Sequence, residues 1–423
     1  MRWQLPDELV ILMFTLLSYH ERFRILRDAL VCGHPKPPRM ILASFTEQEC
    51  QMAFRYFCYH GYGIEATFFS QLTPTVLEDP MLKYDVFVRS ICADNHIEVI
   101  MLLIKKGVIQ DLTSVLICAT RHAHIGITKF VLNRLTLNGI RPEAIKIFRN
   151  ACRSGDVETI EQLLDFGITI DYLRNLVHED KSKYASESIS TSVIQILAYK
   201  GHIDATRLLL GRGITLEDLR QNYNDVLAIA VEEGYLGMVQ LLLQHGLTVD
   251  DVLDKNPYIN SAESAVYLAS YYVGSGEGDE ILLSLLQVGV PVSEMKRLQI
   301  ANPACEHGFA KSLKYMFDQG VTLNDLDNIP ASVRRICIRD NNRNLLEVLI
   351  HAGLTLHEVT QEDITEICTF ACVSMITRIL QLAPTPEEKW DTYSTALWMA
   401  RQNDDFEAVE KLLLVHENLE ATP

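Results

Sequence analysis

Ten cysteines and thirteen histidines are the residues of this 423-residue chain best suited to chemistry. A zinc site or a redox pair would need them clustered, for example as Cys-x-x-Cys, and no such pair occurs. Three cysteines share a spacing instead: Cys92, Cys152 and Cys305 each stand three residues before a glycine or its asparagine equivalent, and Cys337 stands four before one. A free thiol placed so regularly reads as a small buried hydrophobe. Cys368 and Cys372 are i, i+4 neighbours on an expected helix, but two ligands fall short of the four that a structural zinc takes. His122 and His124 lack further ligands in the same way. The run GSGEG at Gly274–Gly278 has no lysine and follows no strand pattern, so it reads as an insertion, and no nucleophile elbow or phosphate loop is present. A Cys–His pair that meets only in space leaves no trace in sequence. No catalytic, cofactor-binding or metal-binding residue is expected.

The spacing of those cysteines leads to the elements that carry them. Four stretches, starting at Ile147, Val193, Val226 and Ile300, share one frame: small apolar residues, a glycine, an apolar-rich segment, and a second glycine twelve residues after the first. The pairs are Gly155/Gly167, Gly201/Gly213, Gly234/Gly246 and Gly308/Gly320, and Asn95/Gly107 and Asn341/Gly353 repeat the spacing with Asn first. Gly213 to Gly246 and Gly320 to Gly353 are both 33 residues. Each unit predicts a short apolar helix stopped by a residue that accepts positive φ, then an amphipathic helix stopped by the second glycine. One pair cannot bury its own apolar face, so neighbours must stack.

This frame resembles the ankyrin repeat, best in Ala198–Gly213 and Ala230–Gly246, over about residues 50–416, in roughly ten units. The resemblance implies an all-α solenoid that binds protein targets, and a structural, hydrogen-bonded role for His202. The family's Thr-Pro-Leu-His start is absent; Ser192, Asp225 and Ser332 stand at the Thr position and are expected to N-cap the first helices. After the second glycine come GITLEDL, GLTVDDV, GVTLNDL and GLTLHEV, which predict short or helical fingers in place of β-turns. The family pattern exposes the residues just before the first glycine along the inner helices. Here those are Arg153, Tyr199, Lys200, Glu232, Glu233, Glu306, His307, Arg339 and Asp340, the expected target-binding set.

The opening MRWQLPDELVILMFTLLSYHERF places Pro6 at a plausible helix start, with acids in the first turn, where the helix dipole favours them. Leu9, Leu12, Phe14, Leu16 and Leu17 make the helix apolar; Tyr19–Arg22 should break it, and a second helix should end at Val31-Cys32. This looks like an F-box. The resemblance implies docking on a Skp-type adaptor of a cullin–RING ubiquitin ligase through Leu5, Pro6, Leu9, Leu12 and Leu16. The other reading of the same stretch is an N-terminal cap on the first repeat.

The expected organisation is an F-box-like segment over 1–34, a Pro-containing linker over 35–48, the solenoid over 49–416 and an acidic tail over 417–423. Net charge is −17, which repels phosphate backbones and argues against a nucleic-acid partner. No apolar run approaches the ~20 residues of a membrane span, the acidic front of the opening run is unlike a signal peptide, and the cysteine usage suits a reducing, cytoplasmic compartment. F-box and ankyrin combinations occur in effectors of intracellular bacteria and large viruses, and the acidic tail resembles a type IV secretion signal. Three functions follow: a ubiquitin-ligase substrate receptor, an ankyrin scaffold that sequesters or blocks a host protein, and an enzyme inside a repeat shell.

Overall fold

The protein was analysed as a computed structural model that describes residues 11, 13–31, 41–179, 189–253, 264–271, 277–327, 333, 342–355, 366–367, 371–383, 385–402 and 406–420. Among them the secondary structure is helical throughout, with no strand. The chain divides into two compact units, Met1–Ile214 and Thr215–Pro423.

In unit 1 a first helix, α1 (Tyr19–Val31), precedes four helix pairs: α2/α3 (Glu47–Tyr59, Gly63–Leu72), α4/α5 (Asp85–Ala93, Ile97–Lys105), α6/α7 (Leu112–Arg121, Ile125–Leu132) and α8/α9 (Ala144–Ser154, Val157–Phe166). α10 (Ile170–Glu179) then leads to a fifth pair, α11/α12 (Ile189–Lys200, Ile203–Gly211). First helices stack on first helices and second helices on second helices. The facing positions explain this: Ile91, Cys92, Ala119, Ala151, Cys152, Leu197 and Ala198 are all fully buried. Small residues there let backbones approach closely, while each buried Leu or Ile of the second helices, such as Leu103, Ile160 and Leu209, contributes roughly 1.5–3 kcal/mol.

The residue that stops each first helix has a left-handed backbone: φ is 72° at Gly61, 58° at Asn95 and Ala123, 71° at Gly155 and 68° at Gly201. The amide after it closes the turn five residues back, as in His202 N–H to the Leu197 carbonyl at 3.0 Å. The second stops Gly167, Gly213, Gly246, Gly289, Gly320 and Gly353 lie further out, with φ of 103–124°, while Gly107 at 73° matches the first stops. The further region suits glycine alone, whereas the first stop admits Asn and Ala.

Unit 2 contains α13 (Leu216–Glu232), α14 (Leu236–Gln244), α15 (Val249–Leu253), α16 (Ala265–Tyr271), α17 (Gly278–Leu286), α18 (Val292–Arg297), α19 (Ala301–Glu306), α20 (Ala310–Gln319), α21 (Arg343–His351), α22 (Val373–Leu380), α23 (Pro386–Gln402) and α24 (Phe406–Glu420). The fingers are capped helical turns, as their sequence predicts. Thr215 and Asp218 form a reciprocal capping box, with the Thr215 amide donating to the carboxylate at 2.7 Å; Thr248/Asp251 and Thr322/Asp325 repeat the amide–carboxylate contact. A basic residue five places after the cap position reaches the next repeat. Arg220 clasps Asp251 at 2.8 and 3.0 Å, and Lys296 meets Asp325 at 2.8 Å.

Some expectations need correction. Asp225 caps no first helix: the Thr215 box starts α13 ten residues earlier, and nothing between Leu216 and Glu232 breaks it. Ser192 lies inside α11, and Ser332 lies outside the described residues. The break in the opening stretch comes before Tyr19, because Ser18 and Glu21 cap α1 reciprocally. Within the expected linker, Ile41 and Leu42 are buried and Thr46 caps α2, and within the expected tail α24 runs to Glu420. The i, i+4 pairing of Cys368 and Cys372 is not on view, since Cys368 lies outside the described residues and Cys372 sits at the N-cap of α22. Of the Gly274–Gly278 run, Gly278 opens α17 and residues 274–276 lie outside the described residues.

Candidate protein-binding surface

The repeat geometry determines which side chains meet solvent. Each first helix buries the residues three and four places before its stop, so the last two side chains face outward. Arg153, Tyr199 and Lys200 of unit 1 and Glu232, Glu233, Glu306 and His307 of unit 2 are all exposed. Arg339 and Asp340 lie outside the described residues. Lys200 places its ammonium 5.0 Å from the centre of the Tyr199 ring, and Arg153 reaches the Asn150 side chain at 3.4 Å. The same offset from Gly61 and Ala123 exposes Tyr59, His60, Arg121 and His122. Sequence reasoning missed these four although the spacing that marks the others was available.

The row differs in chemistry between the units. In unit 1 it is mainly aromatic and basic, with Asp94 as an exposed acid. In unit 2 it is mainly acidic. The units as wholes differ in the same sense: unit 1 has 24 Lys and Arg against 23 Asp and Glu, a net +1, and unit 2 has 14 against 32, a net −18.

Histidines tie the repeats of unit 1 together. His96, His124 and His202 follow the first stops of their own repeats, and each Nε2 bonds a carbonyl of the preceding repeat, at Tyr59 (2.9 Å), Ala93 (2.8 Å) and Arg153 (3.2 Å). The accepting residue always lies two places before the preceding stop. A methyl group on Gly61 or Gly155 would overlap the His96 or His202 ring. His124 is thus engaged in a backbone bond, and no group of three metal-ligating residues occurs among the described residues.

At the start of unit 1 a groove of about 550 Å³ is lined by Tyr19, His20, Phe23, Met52, Arg55, Tyr56, Tyr59, His60 and Phe87. It adjoins the exposed row at Tyr59 and His60. One of its walls is α1, which is packed against the first repeat: Leu26 is fully buried, Phe23 lies edge-on to Tyr56 at 4.8 Å, and Arg22 bonds the Ser44 carbonyl and Glu49. Burial acts to raise the Glu49 carboxyl pKa, but the Thr46 amide and Arg22 overcome it and hold the group below its usual range. Ahead of α1 the chain turns outward, with Met13 56% and Leu16 82% exposed. Leu5, Pro6, Leu9 and Leu12 lie outside the described residues. No helix among the described residues is long and apolar enough to cross a membrane.

Residues 148–256 match the family model described as ankyrin repeats (three copies). No curated protein matches the chain. Among solved structures it is similar to the human ASB11 ankyrin repeat domain, at 12% identity and a TM-score of 0.39, over 56% of this chain and 98% of that one. It is also similar to a circular tandem repeat protein (15% identity, TM-score 0.21, 98% and 96% of the chains) and to the pentatricopeptide repeat protein PPR10 from maize (10% identity, TM-score 0.23, 95% and 68%). The described residues are helical without strand, and residues 148–256 carry ankyrin repeats, which serve in protein–protein interaction.

Proposed function

We propose that this protein is a non-enzymatic substrate receptor: its opening segment docks on a Skp-type adaptor of a cullin–RING ubiquitin ligase, and its exposed first-helix row holds the target protein. The observation that carries the adaptor half is the change of character at Ser18. Beyond it α1 is fastened to the first repeat; before it Met13 and Leu16 present apolar side chains to water. Such exposure is unfavourable in solution and marks contact sites when several large side chains adjoin. The target half rests on the row of varied polar and aromatic ends above buried Ala and Cys positions. This reading places the protein in the cytoplasm, and in a host cell if it is an effector delivered by a type IV system.

Replacing Leu5, Pro6 and Leu9 together by Ala tests the adaptor half. Each large anchor at an interface contributes on the order of 2 kcal/mol, so adaptor binding should be lost while the repeats keep their melting temperature. A wild-type chain that binds no Skp-type adaptor at about micromolar concentration, the range of weak functional complexes, overturns it.

The packing of α1 favours a second reading, a cap on a scaffold that sequesters a host protein. There the same triple change lowers stability instead, and no adaptor co-purifies with the wild type.

A further inference from the structure

We propose that Cys92 and Cys118, on the first helices of consecutive repeats, form a peroxide-responsive dithiol in which Cys118 is oxidised first and Cys92 converts it to a disulfide. The two thiols lie between α4 and α6, each against the other's helix. The Cys92 thiol donates to the Val115 carbonyl at 3.6 Å and the Cys118 thiol to the Arg89 carbonyl at 3.5 Å. Val115 stands three residues before Cys118, and Arg89 three before Cys92. Positions three apart share a helix face, so each sulfur rests on the turn that carries the other.

The pair is asymmetric in the way such chemistry needs. Cys92 is fully buried, while Cys118 keeps 8% of its surface at the edge of the exposed row. The neighbouring Cys92 thiol holds the Cys118 thiol below its ordinary pKa; burial opposes this, and Arg121 and Arg89 assist. Cys92 is pushed up by its Cys118 neighbour and by burial. Cys58 and Cys152 are raised by burial, with no thiol partner among the causes, and serve as inert references.

The reaction balances with hydrogen peroxide as oxidant. The Cys118 thiolate attacks one peroxide oxygen; an S–O bond forms, the O–O bond breaks, and the departing hydroxide takes a proton to become water. Cys92 sulfur then attacks Cys118 sulfur. The S–S bond forms, the S–O bond breaks, and the hydroxyl leaves as water with the Cys92 proton. Two thiols lose two electrons and peroxide is reduced to two waters. The sulfurs close to about 2.0 Å, linking the first helices of two repeats.

The full-length protein, purified reduced, should be treated with hydrogen peroxide while folded, alkylated and digested with trypsin. The expected product is Ser90–Lys105 joined to Gly107–Arg121, released by dithiothreitol, with Cys58 and Cys152 still alkylatable once the chain is unfolded. The linked form should melt several degrees higher. In Cys92→Ser, dimedone should trap sulfenic acid at Cys118; in Cys118→Ser, Cys92 should stay reduced. The wild-type experiment repeated in urea guards against variants that fail to fold. A link that forms in urea but not in the folded chain overturns the proposal, as does oxidation of Cys58 and Cys152 at the same rate as Cys118.

Discussion

Units 1 and 2 build the same repeat and hold it together with different chemistry. In unit 1 three of the four junctions between consecutive helix pairs are joined near the first stop by imidazoles that bond backbone carbonyls, and two of those rings occupy space that only a glycine leaves open. In unit 2 most links are ionic, at the fingers (Arg220 to Asp251, Lys296 to Asp325) and between second helices (Lys311 to Glu280, Arg378 to Glu347), while Asn342 donates to the Gly308 carbonyl beside a first stop. The same repeat frame therefore accepts ties that differ in both place and chemistry. Unit 1 should be governed by sterics at its glycines, and unit 2 by charge.

The largest expected effect is steric. Gly155→Ala places a methyl into the His202 ring at a left-handed position, and should cost unit 1 about 2–3 kcal/mol, from backbone strain plus a disturbed hydrogen bond. His202→Ala in the same chain should recover part of that loss, because a double-mutant cycle detects the shared contact. Gly320→Ala is the counterpart in unit 2. Its φ of 113° makes Ala strained by roughly 1–3 kcal/mol, but nothing lies within 4 Å of the new methyl, so no partner substitution should rescue it. Urea unfolding followed unit by unit checks both; equal rescue in the two units would break the contrast.

Next comes charge. Burial acts to raise the Asp251 pKa, but the Arg220 guanidinium and the Thr248 amide and hydroxyl outweigh it and hold the carboxyl below its usual range. A depressed carboxyl stabilises the fold fully above the unfolded-state value of about 4 and loses that contribution as pH falls through the folded-state value. Unit 2 should therefore weaken on acidification below about pH 4, and Asp251→Asn should cost about 1–2 kcal/mol at neutral pH and flatten the acid dependence. Salt separates the units further. At a net −18, self-repulsion in unit 2 outweighs a few surface pairs, so raising ionic strength to about 0.15 M should raise its melting temperature while unit 1, near neutrality, changes little. A salt response of the same size in both units would refute this.

Smaller still is the exposed pairing in unit 1. Arg212 meets Glu161 and Asp165 at 3.3 and 3.2 Å with every partner well solvated, so Arg212→Ala should change stability by less than about 1 kcal/mol. Charge reversal at Lys200 or at Glu233 should leave both melting temperatures nearly unchanged; which of the two weakens binding reports whether a target sits on the basic or the acidic row.

Much of this fold was legible because repetition averages out local noise. The glycine pairs mark both helix stops, and Thr-x-x-Asp after the second glycine marks a capped turn, since hydroxyl and carboxylate three residues apart satisfy each other's amides. The exposed row followed from the same frame. Other features were hidden where the frame is broken or used differently. Ala123 stops a helix without being Gly or Asn. Asp225 sits at a capping register but inside a helix that began earlier. Cys92 and Cys118 meet although they stand three and five residues before their stops, because packing of neighbouring repeats brings unlike positions together. The wall of aromatic rings formed by Tyr19, Phe23 and Tyr56 depends on how α1 docks, which no local pattern encodes.

The histidine ties carry a mechanical consequence. Each joins one repeat only to the next, through a single imidazole–carbonyl bond beside a turn that cannot slide past the ring. A load applied along unit 1 would be borne at each junction by the buried helix packing together with any such bond, so the weakest junction should yield first while the others hold. The junction of α6/α7 with α8/α9, which has no such imidazole and is tied instead by Asn150 to the Ile117 carbonyl at 3.3 Å, marks the expected point of first rupture. Stretched from its ends, unit 1 should lengthen in discrete steps of one repeat, and a stiffer bond at that junction should move the first step elsewhere.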